Sequence, residues 1–262
     1  MLKEIRKYIE TMEKEAIPQL SVNCVIVGFH ERTLKVVVNK VTAGDNMLMV
    51  LPGGYVNQRE DLSEAVERIV KESTGLENML FRQFDIFGKA SRSFAKELTV
   101  NADLQSESDL QSESDQMLLN WFSKRFISLC YIAMVDYRTI DLKPTEFFES
   151  ASWFPMDQAG ILAMDHGDIL LSAREFLLKE MPYTPIVANL LPAQFTLPDL
   201  QALMEAILIR NIDRPNFRRK ILSTGILEKV GVDNTGKRRP ADIYRFKYGK
   251  NSTLMDEFKF GF

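Results

Sequence analysis

The stretch from Gly54 to Leu76, GYVNQREDLSEAVERIVKESTGL, restricts what this chain can fold into more than any other. From about Asp61 to Thr74 it reads as a helix, with the apolar residues Leu62, Ala65, Val66, Ile69 and Val70 along one side. Gly75 stands just past the expected helix end, where a left-handed cap favours glycine. Gly53 and Gly54 precede the loop that enters the helix and permit a tight backbone there. Positions 69, 72 and 73 have the spacing i, i+3 and i+4, so they share a helix face, and here they are Ile69, Glu72 and Ser73.

This glycine-bounded loop and helix resembles the Nudix box. That pattern is Gly, five residues, Glu, seven residues, Arg-Glu, an aliphatic residue, any residue, Glu-Glu, any residue, Gly and an aliphatic residue. Gly54, Glu60, Arg68, Val70, Glu72, Gly75 and Leu76 fall on it, whereas Ile69 and Ser73 stand where the family has carboxylates. Three carboxylates on one face would form a hard, oxygen-rich site for Mg²⁺ bound to a pyrophosphate. Only Glu72 remains, since isoleucine offers no ligand and serine a weak neutral one. The resemblance implies that Glu60 and Arg68 pair and hold the loop against the helix, with Gly53, Gly54 and Gly75 keeping the frame. The expectation is a kept scaffold with no catalytic residue, no metal and no cofactor.

At 262 residues, 45% hydrophobic and 26% charged, the chain suits one large globular domain or two modest ones. No apolar run approaches a membrane span and no signal-peptide pattern opens the chain, which predicts a cytoplasmic protein with no membrane partner. Cys24 and Cys130 lie in apolar, strand-like runs and are expected as buried free thiols. The net charge of −3 argues against nucleic acid, but its distribution argues for it: residues 210–250 hold twelve Lys/Arg and four Asp/Glu, against an acidic remainder.

Residues 1–15 read as an amphipathic helix, 21–42 as a hairpin with its polar turn at His30–Thr33, 46–56 as a third strand leading into the box, and 125–137 as a further strand. DLQSESDLQSESD (103–115) repeats a six-residue acidic, serine-rich unit and reads as a mobile surface insertion over 101–116. A helix is expected from about Asp165 to Met181. Pro182, Pro185 and Pro192 then mark a linker that divides the chain into residues 1–182 and 183–262.

The C-terminal part reads as helix, short turn, basic helix and hairpin, the order of a winged helix-turn-helix. Thr196 caps the first helix and Pro198 lies in its first turn. The second helix would present Arg214, Asn216, Arg218, Arg219 and Lys220 to a major groove, with Phe217, Ile221 and Leu222 packed inward. The wing tip, Lys237, Arg238 and Arg239, would touch phosphates or a minor groove.

Together the two parts resemble the Nudix-related transcriptional regulators. The resemblance rests on SVNCVIVGF, the box, RFISLCYIAMVDY, WFPM…AMDHGDIL and LLPAQFTLPDLQALMEAIL…DRPNFRRKIL…RRPADIYRF. It implies an α+β chain: a Nudix-like α/β/α sandwich with a mixed sheet, followed by a winged helix-turn-helix. It further implies a homodimeric repressor that binds double-stranded operator DNA and senses a small molecule. One branch of the family senses ADP-ribose and controls NAD metabolism; another controls sugar use and includes arabinose-responsive regulators of Bacteroidetes. The TGLEN ending after the box resembles the sugar branch, which makes a sugar such as L-arabinose the expected effector and ADP-ribose the alternative. A Nudix hydrolase of nucleoside diphosphate derivatives and a partner-binding protein without DNA are the competing readings. Candidate effector-binding residues are Asn23, Tyr55, Glu72, Arg92 and Arg125, with Ile69 as an apolar wall and Ser73 as a hydroxyl. Losing two carboxylates spares a neutral ligand the cost of desolvating them.

Overall fold

The computed structural model describes residues 14–43, 46–74, 77, 79–93, 120, 123–142, 150–180, 185–233 and 240–247. Residues 1–13, the acidic repeat 103–115, Gly75 and the expected wing tip 237–239 lie outside them.

Two long strands begin the sheet, β1 (Ala16–His30) and β2 (Thr33–Ala43). Glu31 and Arg32 join them with φ of 51° and 62°, the paired left-handed geometry whose twist matches a hairpin. The single strand expected over 46–56 is two: β3 (Asn46–Val50) pairs with β2, and β4 (Gly53–Asn57) pairs with β1. Pro52 explains the break, since it cannot donate to a ladder; its carbonyl instead accepts from the Cys24 amide at 2.7 Å. Helix α1 (Leu62–Thr74) follows, its start satisfied by the Glu64 carboxylate, which accepts from the Asp61 amide at 2.7 Å. Next come β5 (Phe81–Phe87), β6 (Ile127–Met134), β7 (Ser150–Pro155) and α2 (His166–Glu180). The sheet is mixed: β6 runs parallel to β1, and the other pairings are antiparallel.

Because successive strand residues point to opposite faces, β1 alternates between two cores. Val22, Cys24 and Ile26 meet Ala65, Val66, Ile69 and Val70 of α1 on one face. Val25 and Val27 join Ile169, Leu170, Ala173 and Leu177 of α2 in the cluster on the other. Cys24 and Cys130 are both buried free thiols and fall on opposite faces.

The C-terminal part has β8 (Phe195–Thr196), α3 (Leu197–Leu208), α4 (Arg214–Ser223), β9 (Leu227–Asp233) and β10 (Ala241–Phe246), with sheet order β8-β10-β9. Thr196 and Asp199 form a reciprocal capping box, and Pro198 sits in the first turn of α3. Asp213 caps α4 by accepting from the Asn216 amide at 2.9 Å. Gly225, at φ 69°, turns the chain from α4 into the hairpin. Leu200, Leu203, Phe217 and Tyr244 belong to the same buried cluster as Leu34 and Val36 of β2 and Leu170 of α2, so apolar packing runs unbroken from the sheet into the winged helix.

Candidate functional site

The loop before α1 is fixed by one arginine. Arg68 donates Nη2 to Glu60 Oε1 at 2.8 Å and Nε to Glu60 Oε2 at 3.1 Å, and a further Nη2 bond reaches the Tyr55 carbonyl at 2.9 Å. Glu60 Oε1 also accepts from the Asn57 amide at 2.7 Å. Burial alone would raise the Glu60 carboxyl, but the Arg68 and Asn57 bonds outweigh it and hold the group below its usual range. Neither Gly53 nor Gly54 adopts a left-handed φ. Their need is space: a Cβ on Gly53 would run into the Asn23 carboxamide, and one on Gly54 would lie 3.2 Å from Ile69 Cγ1.

That last contact changes the role of Ile69. It is 2% exposed and sits in the core with Val22, Cys24 and Val66, so it does not wall a cleft. Glu72 points the other way, with a side chain 57% exposed and 3.6 Å from Arg68 Nη1. The side chain of Ser73 lies outside the described set. Among the described residues no group of three or more His, Cys, Asp or Glu is placed to hold a metal.

Of the remaining effector candidates, Asn23 and Tyr55 lie on the sheet face opposite α1. By strand alternation Ser21, Asn23, Tyr55 and Ser128 share that face, while Glu72 stands apart from them on α1. Asn23 Nδ2 donates to Ser128 Oγ at 2.8 Å, and Ser21 Oγ and Ser128 Oγ share a bond of 2.6 Å. The Tyr55 ring tilts against Phe126 with centroids 5.5 Å apart. Arg125 is exposed and donates Nη2 to the Gly88 carbonyl at 2.6 Å; it has no carboxylate partner among the described residues. Arg92 is spoken for: its side chain is buried, pairs with Asp165 at 2.7 Å and reaches the Phe126 carbonyl at 3.3 Å. Ser21, Ser128 and Phe126 escaped the sequence reading because nothing in their local pattern marks them; the parallel pairing of β1 with β6 creates the group.

His166, also missed in sequence, braces the glycine loop from behind. Its Nδ1 accepts from the Leu51 amide at 3.0 Å, two residues before Gly53. Burial pushes its imidazole down to about 4, with Asp165 opposing and Arg92 reinforcing the shift. An unfolded histidine takes up a proton near pH 6.5 and this folded one does not, so its stabilising contribution is intact above pH 6.5 and is lost as pH falls toward 4. The loss expected from this group is about 3 kcal/mol. His166→Gln keeps a neutral acceptor without the proton linkage, so urea midpoints at pH 7, 5.5 and 4.5 should fall less steeply for the variant. Superimposable pH profiles would contradict that role.

The second candidate surface is the outer face of α4. Phe217 and Ile221 are each 1% exposed and fix its rotation. Arg214, Arg218, Arg219 and Lys220 are consequently exposed and Asn216 is half-buried. Leu222, expected inside, is 38% exposed and lies on the outward side. Arg219 Nη2 donates to Asn216 Oδ1 at 3.0 Å, and Arg218 lies 3.8 Å from Asp242 on β10. Such a row of forked donors on a groove-sized helix suits phosphate and base-edge contacts. Among the described residues no helix is long and apolar enough to cross a membrane.

Two family models match this chain: the Nudix domain over residues 17–174 and the NrtR DNA-binding winged helix domain over residues 187–246. The ADPR responsive transcriptional repressor NtrR of Acinetobacter baylyi is 25% identical over 234 residues, covering 87% of this chain and 82% of its own length. The crystal structure of Shewanella oneidensis NrtR superposes with a TM-score of 0.65 at 26% identity, covering 87% of this chain and 94% of that one. The same protein complexed with a 27mer DNA gives a TM-score of 0.65 at 23% identity, covering 92% of this chain and 97% of that one.

Proposed function

The chain belongs to the Nudix domain family, and from that premise we propose that it is a DNA-binding transcriptional repressor whose Nudix domain senses ADP-ribose rather than cleaving a substrate. The observation that carries the reading is the exposed basic face of α4, held by Phe217 and Ile221 in a region similar to the NrtR DNA-binding winged helix. In this reading residues 1–182 sense the effector, residues 183–262 bind operator DNA, and a homodimer in the cytoplasm places one winged helix on each half-site. Ile69 in the core and Glu72 turned to Arg68 support sensing without hydrolysis.

The sugar effector expected from the TGLEN ending gains no support, and the relative named for ADPR favours the alternative. The site chemistry agrees. Arg125 has no carboxylate partner among the described residues, and an anionic diphosphate would use that charge where a neutral sugar would not. The half-buried Tyr55 ring offers an aromatic surface to a purine and the half-buried Ser21 a hydroxyl to a ribose, with Phe126, Asn23 and Ser128 buried behind them as support.

Fluorescence anisotropy with a duplex from upstream of the protein's own gene tests the whole reading. Nanomolar to tens-of-nanomolar binding is expected, weakening steeply with salt, and ADP-ribose should shift the affinity about fivefold or more while L-arabinose leaves it unchanged. Salt-insensitive or absent binding would remove the DNA role, and a response to L-arabinose alone would restore the sugar effector.

A further inference from the structure

The β1–β2 turn reaches across to the winged helix. Arg32 donates Nη2 to Glu205 Oε2 on α3 at 2.8 Å, from an arginine side chain 70% exposed to a glutamate side chain only 15% exposed. Glu205 is also committed on its other oxygen: Oε1 accepts from the Ile212 amide at 3.0 Å and from Gln201 Nε2 at 2.9 Å. Gln201 Nε2 donates in turn to the Ile212 carbonyl at 2.9 Å. Those partners, the Ile212 amide foremost, hold the Glu205 carboxyl below its usual range. Ile212 immediately precedes Asp213, the residue that caps α4. Three bonds therefore separate an effector-domain arginine from the first turn of the basic helix.

The turn that offers Arg32 is built to hold still. Glu31 and Arg32 both occupy the left-handed region without being glycine, a conformation that persists only where surroundings fix it. Before the turn, His30 stacks on Tyr137 at 4.2 Å and 4°, and Tyr137 leans on Trp153 at 4.9 Å. The turn is also the far end of β1, whose earlier residues Ser21 and Asn23 belong to the candidate effector group. One strand thus touches the ligand region at one part of its length and the helix-turn-helix at its end.

We infer that Arg32 is a positioning residue for the basic helix α4, acting through Glu205 and the Ile212 amide and carrying the effector response to the winged helix. The inference rests on the DNA-binding reading above for its consequence but not for its geometry. The arginine end of this pair is solvent-exposed and Glu205 keeps its Gln201 and Ile212 bonds without it, so removing Arg32 should leave the melting temperature nearly unchanged while loosening what Glu205 holds.

The test uses the full chain and three variants, Arg32→Ala, Arg32→Lys and Glu205→Gln. Hydrogen exchange read by mass spectrometry should be at least threefold faster over residues 212–217 in Arg32→Ala and Glu205→Gln, and close to the parent in Arg32→Lys. The ADP-ribose response of operator binding should fall from about fivefold or more to under twofold in Arg32→Ala, with ADP-ribose affinity by calorimetry unchanged. Parental exchange over 212–217, or a parental ADP-ribose response in Arg32→Ala, overturns the inference. A parent chain that binds no duplex sinks the repressor reading instead, and the exchange data still decide the positioning of α4.

Discussion

Replacing Ile69 with glutamate, the residue the Nudix pattern asks for, should cost about 3 kcal/mol or more of stability and restore no magnesium-dependent activity. The side chain is 2% exposed, among Val22, Cys24, Ile26, Val66 and Val70, and against Gly54. A carboxylate placed there meets no described donor, so it either enters the core charged or takes up a proton to stay neutral. The second route gives the signature. A glutamate with a raised folded pKa binds a proton that the unfolded chain has released, so its penalty grows as pH rises above the usual carboxylate range. Urea melts should show Ile69→Glu closer to the parent at pH 5 than at pH 8. A variant as stable as the parent at pH 8, with a melting temperature that rises on adding Mg²⁺, would show that the carboxylate reaches a real metal site.

The position of Ile69 also shows where sequence reasoning stopped. The i, i+3, i+4 spacing put positions 69, 72 and 73 on one face, yet Ile69 turns into the core with the apolar stripe while Glu72 is exposed. The close approach of Gly54 decided it, and that approach depends on β4 lying beside β1. The hairpin, the C-terminal helices and the Thr196 cap were legible because each is encoded within a few residues: Thr196 ahead of Pro198, and the polar turn His30–Thr33 between two alternating runs. Pro52 is the local signal for the split of 46–56 into two strands. The grouping of Asn23 with Ser128, the bracing of Leu51 by His166 and the reach of Arg32 to Glu205 join residues more than a hundred positions apart. No local pattern carries such pairings; only the packed sheet does.

Removing both Arg218 and Arg219 should weaken operator binding by about a hundredfold and lower the salt slope by about 2, with the fold intact. Neither guanidinium is buried, and Phe217 and Ile221 keep α4 seated without them. The two arginines should nonetheless fail differently when changed singly. Arg218 lies 3.8 Å from Asp242, whose other oxygen is 2.6 Å from Lys229, so it stands beside the wing strand within a cluster of charges. A DNA phosphate can take the place of that carboxylate, and Arg218→Ala should weaken all duplexes alike. Arg219 is instead oriented by Asn216 Oδ1 at 3.0 Å, which pairs the two side chains best able to read a base edge. Arg219→Ala should therefore cost more on the operator than on random duplex, narrowing the ratio between them by roughly tenfold. Equal losses on operator and random DNA would reassign Arg219 to the phosphate backbone, and undiminished binding by the double variant would take α4 off the DNA altogether.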